Sequence, residues 1–377
     1  MAKPKDTRAK RPQNLLVWTR KLDGEPMAGR LRTMHGIRQA LGDGADIVTA
    51  QLPDVLTDMS LRRLMGVGWG WLSHLFAGRL LPLQCALFAN AGDHDRIIKN
   101  LPTDLDAVYL DGVRSFALLE RLRRARPDLR IVVDLDDLIS RRMALLIKAG
   151  QPLSPGYLTK HLPGLVQKFA MSRAIGRLIV DYERVTLAAV ERHMASLADV
   201  LVLVSTEDAR ILESLCAPDP RAKIVVMPPS RELMQAPKPI SQPIRFVFIG
   251  SDALTQNWLT IEYLTGLWAK HKFSAELVLF GLRSRAAPLP PNVRSAGYVD
   301  DLCDVYDGRS VMLTPSFIGG GVKSKVLEAF SYGAPVIGNP MTFESMPLGE
   351  YALNLSEEDD LVRILSLIHI SEPTRPY

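Results

Sequence analysis

The residues richest in chemistry fall in one stretch, residues 314–340, TPSFIGGGVKSKVLEAFSYGAPVIGNP. Three glycines, Gly319, Gly320 and Gly321, stand between an apolar run ending at about Leu313 and a helical segment expected from about Val322 to near Tyr332, with Gly333 as its C-cap. Glycine there lets backbone N–H groups close on an anion, and a helix beginning just after adds the positive end of its dipole. Lys323 and Lys325 fall in the expected first turn, where a cation costs about 0.3–1 kcal/mol; a bound diphosphate reverses that cost. Lys325 and Glu328 share the face opposite Val322, Val326, Ala329 and Phe330. A cation beside phosphates, with an acceptor carboxylate one turn deeper, suits a nucleotide: phosphates at the helix mouth, ribose hydroxyls on Glu328. The plainer reading is a glycine turn with a surface Lys–Glu pair. A triple glycine alone favours that reading, whereas glycines, lysines and glutamate together favour the nucleotide.

A second cluster, Asp134-Leu135-Asp136-Asp137, follows the apolar run of residues 131–133. Parallel sheets bind ligands at the carboxyl ends of their strands, so Asp134 is expected to face a cleft, orienting an acceptor hydroxyl or accepting its proton. The structural alternative stands beside it: Asp136 or Asp137 caps the next helix, and Asp137 pairs with Arg141 four residues on. For Asp136 and Asp137 the structural reading is preferred. A metal-holding Asp-x-Asp or a phosphatase nucleophile pair leaves the glycine–lysine–glutamate block unexplained. Residues 24–32 (GEPMAGRLR) follow the first apolar run, and Arg20, Arg30 and Arg32 either meet an anionic acceptor such as a lipid diphosphate or lie on the surface. The histidines form no triad or metal spacing, and no G-x-S-x-G or H-E-x-x-H element supports a hydrolase.

The elements that must position these residues are short continuous apolar runs at 15–19, 46–49, 107–110, 131–133 and 200–204, with helical stretches at 34–41, 115–126 and 165–198. Runs without alternation suit strands covered on both faces, and their alternation with helices argues for a doubly wound parallel sheet. Residues 227–243 then collect prolines without periodicity, as a linker would. The strand pattern restarts at 245–249, 276–280, 310–313 and 335–337, with helices expected near Trp258, Leu302 and Val322. The division is a basic tail at 1–13, a first Rossmann-like lobe at 14–227, a linker at 228–243 and a second lobe at 244–364. Residues 365–375, LSLIHISEPTR, resemble a translated transposase adapter. Residues 365–377 therefore read as foreign, and the second lobe as truncated.

At 47% hydrophobic and 23% charged, the chain is composed like a soluble globular protein. Its formal charge of +5 owes much to Lys3, Lys5, Arg8, Lys10 and Arg11. These make either a solvated tail or a weak attraction to an anionic membrane face. Near charge balance elsewhere, without an aromatic-interleaved basic patch, speaks against nucleic acid. Cys85, Cys216 and Cys303 are widely spaced, which suits a reducing cytoplasm. The N-terminus has no apolar core of a signal peptide. The most apolar stretch, residues 64–89, is broken by His74, Arg79 and Pro82, too much so for a membrane span. It reads as core in preference to a surface for an acceptor or lipid.

The block at 319–338 resembles the nucleotide-sugar site of the large retaining family called glycosyltransferases group one. That resemblance implies the GT-B fold: two Rossmann-like, doubly wound parallel-sheet lobes around a central cleft, with the donor on the second lobe and the acceptor mostly on the first. The family carries two glutamates with seven residues between. The second falls on Glu328, within LEAFSYGAPVIG, which implies a ribose contact; the first falls on Gly320, where no carboxylate exists. Phe248-Ile249-Gly250-Ser251 resembles the first strand and glycine loop of the donor lobe. Gly297-Tyr298-Val299, followed by Asp301, resembles the loop whose backbone reads the base. The Arg and Lys that the family often places after the first loop are missing from 252–258. Arg283, Lys323 and Lys325 are the substitutes, Lys325 foremost. Residues 106–114 and 196–207 also look familial.

The resemblance implies sugar transfer from a UDP- or GDP-type donor to a saccharide or lipid-linked acceptor, with retention. No metal and no cofactor beyond the donor is expected; the setting is cytoplasmic, as the cysteine usage suggests, with peripheral contact at the inner membrane face as the alternative that the basic tail leaves open. Lys325 and the glycine amides are expected to stabilise the leaving diphosphate. A GT-B-fold sugar-nucleotide epimerase and a non-catalytic nucleotide-sugar-binding subunit remain alternatives, the latter because of Gly320.

Overall fold

The computed structural model describes residues 11–20, 30–55, 60–148, 173–216, 220–236, 239–241, 243–282, 288–346, 352–355 and 357–367. The chain divides into two compact units, Met1–Met227 and Pro228–Tyr377. In the first, β1 (Gln13–Trp18), β2 (Asp46–Gln51), β3 (Leu105–Asp111), β4 (Arg130–Asp136), β5 (Val200–Leu203) and β6 (Lys223–Val226) form a parallel sheet in the order β2-β1-β3-β4-β5-β6. Its helices are α1 (Arg30–Gly44), α2 (Leu61–Phe76), α3 (Leu83–Ala86), α4 (Ala91–Lys99), α5 (Phe116–Ala125), α6 (Ile139–Lys148), α7 (Arg173–Leu197) and α8 (Thr206–Leu215).

The continuous apolar run of β1 has the expected cause. Successive side chains leave opposite faces of a strand. Leu15 and Val17 enter one core cluster, Leu16 and Trp18 another, and all four are buried. Strand β2 departs from that expectation, because it is an edge strand with most of its residues exposed or half-buried. Most of α2 departs as well: residues expected in the core instead turn large apolar side chains outward.

The second unit holds β7 (Arg245–Ile249), α9 (Thr255–His271), β8 (Glu276–Phe280), β9 (Val293–Gly297), β10 (Ser310–Leu313), α10 (Ser324–Ser331), β11 (Val336–Gly338), β12 (Ala352–Asn354) and α11 (Glu358–Leu367). Its parallel sheet runs β12-β11-β10-β7-β8-β9. Phe246 and Phe248 pack with Trp268 of α9 on one face, while Val247 packs with Val326 and Ala329 of α10 on the other. Fully burying one such side chain contributes about 1.5–3 kcal/mol. In each unit the chain leaves the first strand to one side and later returns on the other. Switch points therefore open between β1 and β3, and between β7 and β10, where ligands of open α/β sheets bind.

Two helix boundaries differ from the sequence expectation. Helix α10 begins at Ser324, two residues late, because Gly320 (φ +104°) and Gly321 (φ +63°) are left-handed and Lys323 is an extended N-cap. The helix expected near Leu302 is a single 3-10 turn, Leu302–Asp304. The proline-rich segment is fastened to the second unit. Met234 and Gln235 donate their N–H groups to the Ser331 carbonyl at 2.6 and 3.0 Å, and Ile240 and Ile244 pack against its core. Leu365, assigned by sequence to the foreign segment, lies inside α11 and is buried in that core; residues 368–377 lie outside the described residues.

Candidate functional site

Every donor-side residue named from the sequence that the structure describes lies at the carboxyl end of the second sheet. After β7 come Gly250 and Ser251; after β10, residues 314–321; after β8, Gly281; after β9, Tyr298 and Val299. The Gly250 N–H donates to the Phe280 carbonyl at 3.0 Å. A Cβ at Gly250 would lie 2.7 Å from Asn257 Nδ2, and one at Gly281, where φ is +88°, would lie 3.0 Å from the Gly250 backbone. Nothing larger than glycine fits at Gly250 without moving Asn257.

Asn257, buried in the first turn of α9, ties two loops together. Its Nδ2 donates to the Ser251 carbonyl at 3.0 Å, and its Oδ1 accepts from Lys325 Nζ at 2.6 Å. The same ammonium lies 4.4 Å from the centroid of the Phe248 ring. Burial first and Lys323 second, with Glu328 opposing, lower the Lys325 pKa to about 7. Lys325 thus gives up its proton more readily than an ordinary lysine, and a nearby anion draws one onto it.

The glycine loop is held from two sides. The Gly320 N–H donates to Glu344 Oε2 at 3.1 Å, and Lys323 Nζ donates to the Gly320 carbonyl at 2.7 Å. The Lys323 side chain makes no capping bond to α10, so the helix start presents backbone N–H groups beside the loop. Beneath the loop, Thr342 Oγ1 donates to the Thr314 carbonyl at 2.7 Å. Asn339 accepts from Ser316 N at 3.1 Å and donates back to the Ser316 carbonyl at 2.8 Å. Glu328 lies on the second turn of α10, half-buried and not sealed. Burial raises the phenol of Tyr306, and Glu328 raises it further. Tyr298 is exposed, while Val299 packs with Phe330 on the α10 side of the sheet. Ser251 is exposed at the loop tip. Arg283 lies outside the described residues.

Asp134 does not have the setting expected of it. Its side chain is 1% exposed, and both oxygens are engaged. Oδ2 accepts from Tyr109 and lies 2.7 Å from Arg30 Nη2, and Oδ1 accepts the Asp136 N–H at 2.9 Å. Arg30, one of the arginines offered to an anionic acceptor, is instead buried at the β1/β3 switch point. It also pairs with Asp111 at 2.9 Å and Asp136 at 3.2 Å. Burial pulls its pKa down, but the three carboxylates outweigh this and hold it above the usual range. An arginine, a phenol and an amide take up this carboxylate, an arrangement that ties the sheet end together. Asp136, left-handed at φ +66°, is the carboxylate with surface, at 37%. Partial burial pushes its pKa up to about 6, Arg30 opposing and Asp137 and Asp134 adding. Asp137 pairs with Arg142, not Arg141; Arg141 pairs with Asp208 at 2.9 Å. Arg20 is exposed and Arg32 half-buried. Among the described residues no cluster of His, Cys, Asp or Glu is arranged to hold a metal ion.

Asn257 and Glu344 were not singled out from the sequence. Asn257 stands within residues 252–258, inspected for an Arg or Lys, and an amide that acts through a lysine 68 positions away leaves no local signal. Glu344 reaches the glycine loop from beyond β11, again with no periodic spacing to reveal it.

Residues 237–361, within the second unit, match the family model described as Glycosyl transferases group 1. No curated protein sequence matches the chain at a significant level. Among solved structures, the chain is similar to sucrose-phosphate synthase from Thermosynechococcus elongatus, with a TM-score of 0.61 and 12% identity over 96% of this chain and 90% of that one. It is also similar to HepE of Anabaena in complex with UDP and glucose (TM-score 0.55, 11% identity, 96% and 90% covered). A third likeness is the lipopolysaccharide outer core galactosyltransferase WaaB (TM-score 0.52, 12% identity, 95% and 90% covered). The chain spans about half of another similar structure, TarM, at 47% of its length. Two parallel-sheet units of this kind, in this company, are the GT-B fold.

Proposed function

We propose that this chain, whose second unit resembles the group 1 glycosyltransferases, moves a sugar from a UDP- or GDP-type nucleotide sugar to a saccharide or lipid-linked acceptor. The observation that carries the reading is Lys325: a lysine lowered to about 7 beside a left-handed glycine loop and a helix start without a side-chain cap. A diphosphate there gains the loop amides, the helix dipole and a proton drawn onto Lys325.

Transfer breaks the bond between the anomeric carbon and the diphosphate oxygen, and the electron pair stays on that oxygen. Lys325 and the amides are set for the charge that grows there, the kind of electrostatic stabilisation that dominates many such sites. The acceptor oxygen bonds to the anomeric carbon, and its proton passes to the departing diphosphate. Glu328 takes the ribose hydroxyls, and Tyr298 and Val299 take the base. Retention belongs to the same proposal and rests on the family resemblance, while a cytoplasmic setting rests on the wide spacing of the three cysteines. The UDP and glucose named in the HepE complex, and the lipopolysaccharide named for WaaB, support the donor and acceptor classes.

The test is incubation with a panel of nucleotide sugars, with and without saccharide and lipid-linked acceptors. Acceptor-dependent release of the nucleoside diphosphate is expected. Isomerised donor without acceptor would make the chain an epimerase, and tight binding without turnover a non-catalytic subunit.

A further inference from the structure

Helix α2, LRRLMGVGWGWLSHLF, has its polarity turned inside out. Its inward face follows helical spacing through Arg63, Gly66, Gly70 and His74. Arg63 pairs with Asp93 at 2.6 Å, and His74 Nε2 meets Glu120 at 2.9 Å. A Cβ at Gly70 would lie 2.6 Å from the Ala89 carbonyl oxygen, so glycine is required there, and one at Gly66 would lie 2.7 Å from the Asn90 side-chain nitrogen and displace it. The outward face follows the same spacing through Leu61, Met65, Trp69, Leu72 and Phe76, all exposed, Trp69 at 67% and Phe76 at 82%. Leu64 and Leu75 widen the stripe and Leu80 extends it. A surface helix normally presents its polar side to water, and a contiguous apolar patch of this size marks an interaction surface.

Beside the stripe lies a cavity of about 730 Å³. Trp69 belongs to both; Arg79, Arg121 and Arg124 line the wall, with Arg124 largely exposed at 73%. The acidic groups of that wall are already engaged, Glu120 by His74, Arg79 and, at 3.9 Å, Arg124, and Asp95 by Arg121, so that three arginines face two carboxylates. The helix itself contains no acidic residue.

We propose that this face docks the protein on an anionic phospholipid bilayer. Helix α2 lies in the plane of the interface with its stripe among the acyl chains, and Arg79 and Arg124 meet headgroup phosphates. The chemistry is that of an interfacial helix, apolar on one side and flanked by arginine, with Trp at the boundary. Charge selects the bilayer over a second copy of this chain: a two-fold contact through the stripe would bring each arginine rim against its own copy. No described helix is long and apolar enough to cross a membrane, so the contact is peripheral. This surface belongs to the first unit and the donor residues to the second, and its test is independent of nucleotide binding.

The test uses the full chain and flotation with vesicles of phosphatidylcholine, with and without phosphatidylglycerol. Flotation with the anionic vesicles, and at least about tenfold less with the neutral ones, is expected, given that such binding joins apolar area to anionic attraction. Trp69→Ser with Phe76→Ser, both exposed, should abolish flotation while leaving UDP binding and the unfolding midpoint unchanged. Arg124→Glu should weaken flotation severalfold. Brominated acyl chains should quench tryptophan emission of the unsubstituted protein, a readout that stands even if the double variant misfolds. No flotation, equal flotation with neutral vesicles, or a solution dimer that the double variant dissociates would each overturn the proposal.

Discussion

The ammonium of Lys325 and the amide oxygen of Asn257 meet at 2.6 Å across the β7/β10 switch point, 68 residues apart in sequence. Asn257 holds the Gly250–Ser251 loop by its nitrogen and Lys325 by its oxygen. A neutral partner orients the lysine without supplying the negative charge that would keep it protonated, and burial lowers its pKa to about 7.

This gives a pH signature. Lys325 is protonated below about pH 7 in the free protein, and a diphosphate beside it raises that pKa. Binding therefore takes up a proton above pH 7, and UDP affinity should fall as pH rises through 7 to 9, by up to about tenfold per unit. Titration calorimetry in buffers of different ionisation enthalpy should show that uptake. A pH-independent affinity across this window would count against the lysine.

Glu328 is expected to grip the ribose. Glu328→Ala should weaken UDP by about 1.5–3 kcal/mol, the range for a hydrogen bond to a charged group. The same change should scarcely alter the affinity of a nucleoside diphosphate lacking the ribose hydroxyls. A double-mutant-style comparison of the two ligands measures this directly.

Glu344 puts a carboxylate on the Gly320 amide, where an anion is expected to bind. Glu344→Gln keeps an acceptor for that N–H and removes the negative charge, so UDP should bind several-fold tighter. Weaker binding would show that the carboxylate supports the bound state.

At the first sheet's carboxyl end, Arg30→Met leaves Asp134 and Asp111 buried without their cation. Breaking a buried pair in this way costs about 3–5 kcal/mol, and denaturant unfolding should register it. Asp134→Asn should chiefly lower stability as well. A folded Asp134→Asn protein with full stability and no activity would restore Asp134 to the chemistry.

Glu191 of α7 accepts the Ser140 N–H at 3.1 Å and the Ser140 hydroxyl, and burial pushes its pKa up to about 8. Its folded pKa lies above its unfolded value of 4.5. Its contribution is therefore full below about pH 4.5, declines as pH rises, and is gone above about 8. Glu191→Gln should flatten the fall in stability across that window, measured by urea midpoints.

The two doubly wound sheets were legible because strands buried on both faces read as unbroken apolar runs, as in Leu15 to Trp18. Glycine and helix-start chemistry likewise revealed the Gly319–Gly321 loop with Lys323, Lys325 and Glu328. What escaped the sequence was pairing across distance. Asp134 looked free because its arginine lies 104 positions earlier, and Asn257 looked inert because its lysine comes much later. Helix α2 misled for another reason: its composition is that of a core helix, and only packing shows that Gly66 and Gly70 face inward and Trp69 outward.

Titration of UDP and GDP against the unsubstituted chain and Lys325→Ala tests most directly for a diphosphate site built around Lys325. The expected result is a loss of affinity of at least about tenfold, the scale of a charge-assisted hydrogen bond, with the thermal unfolding midpoint barely changed. Equal affinity in the two proteins, or no binding of either nucleotide by the unsubstituted chain, would contradict it.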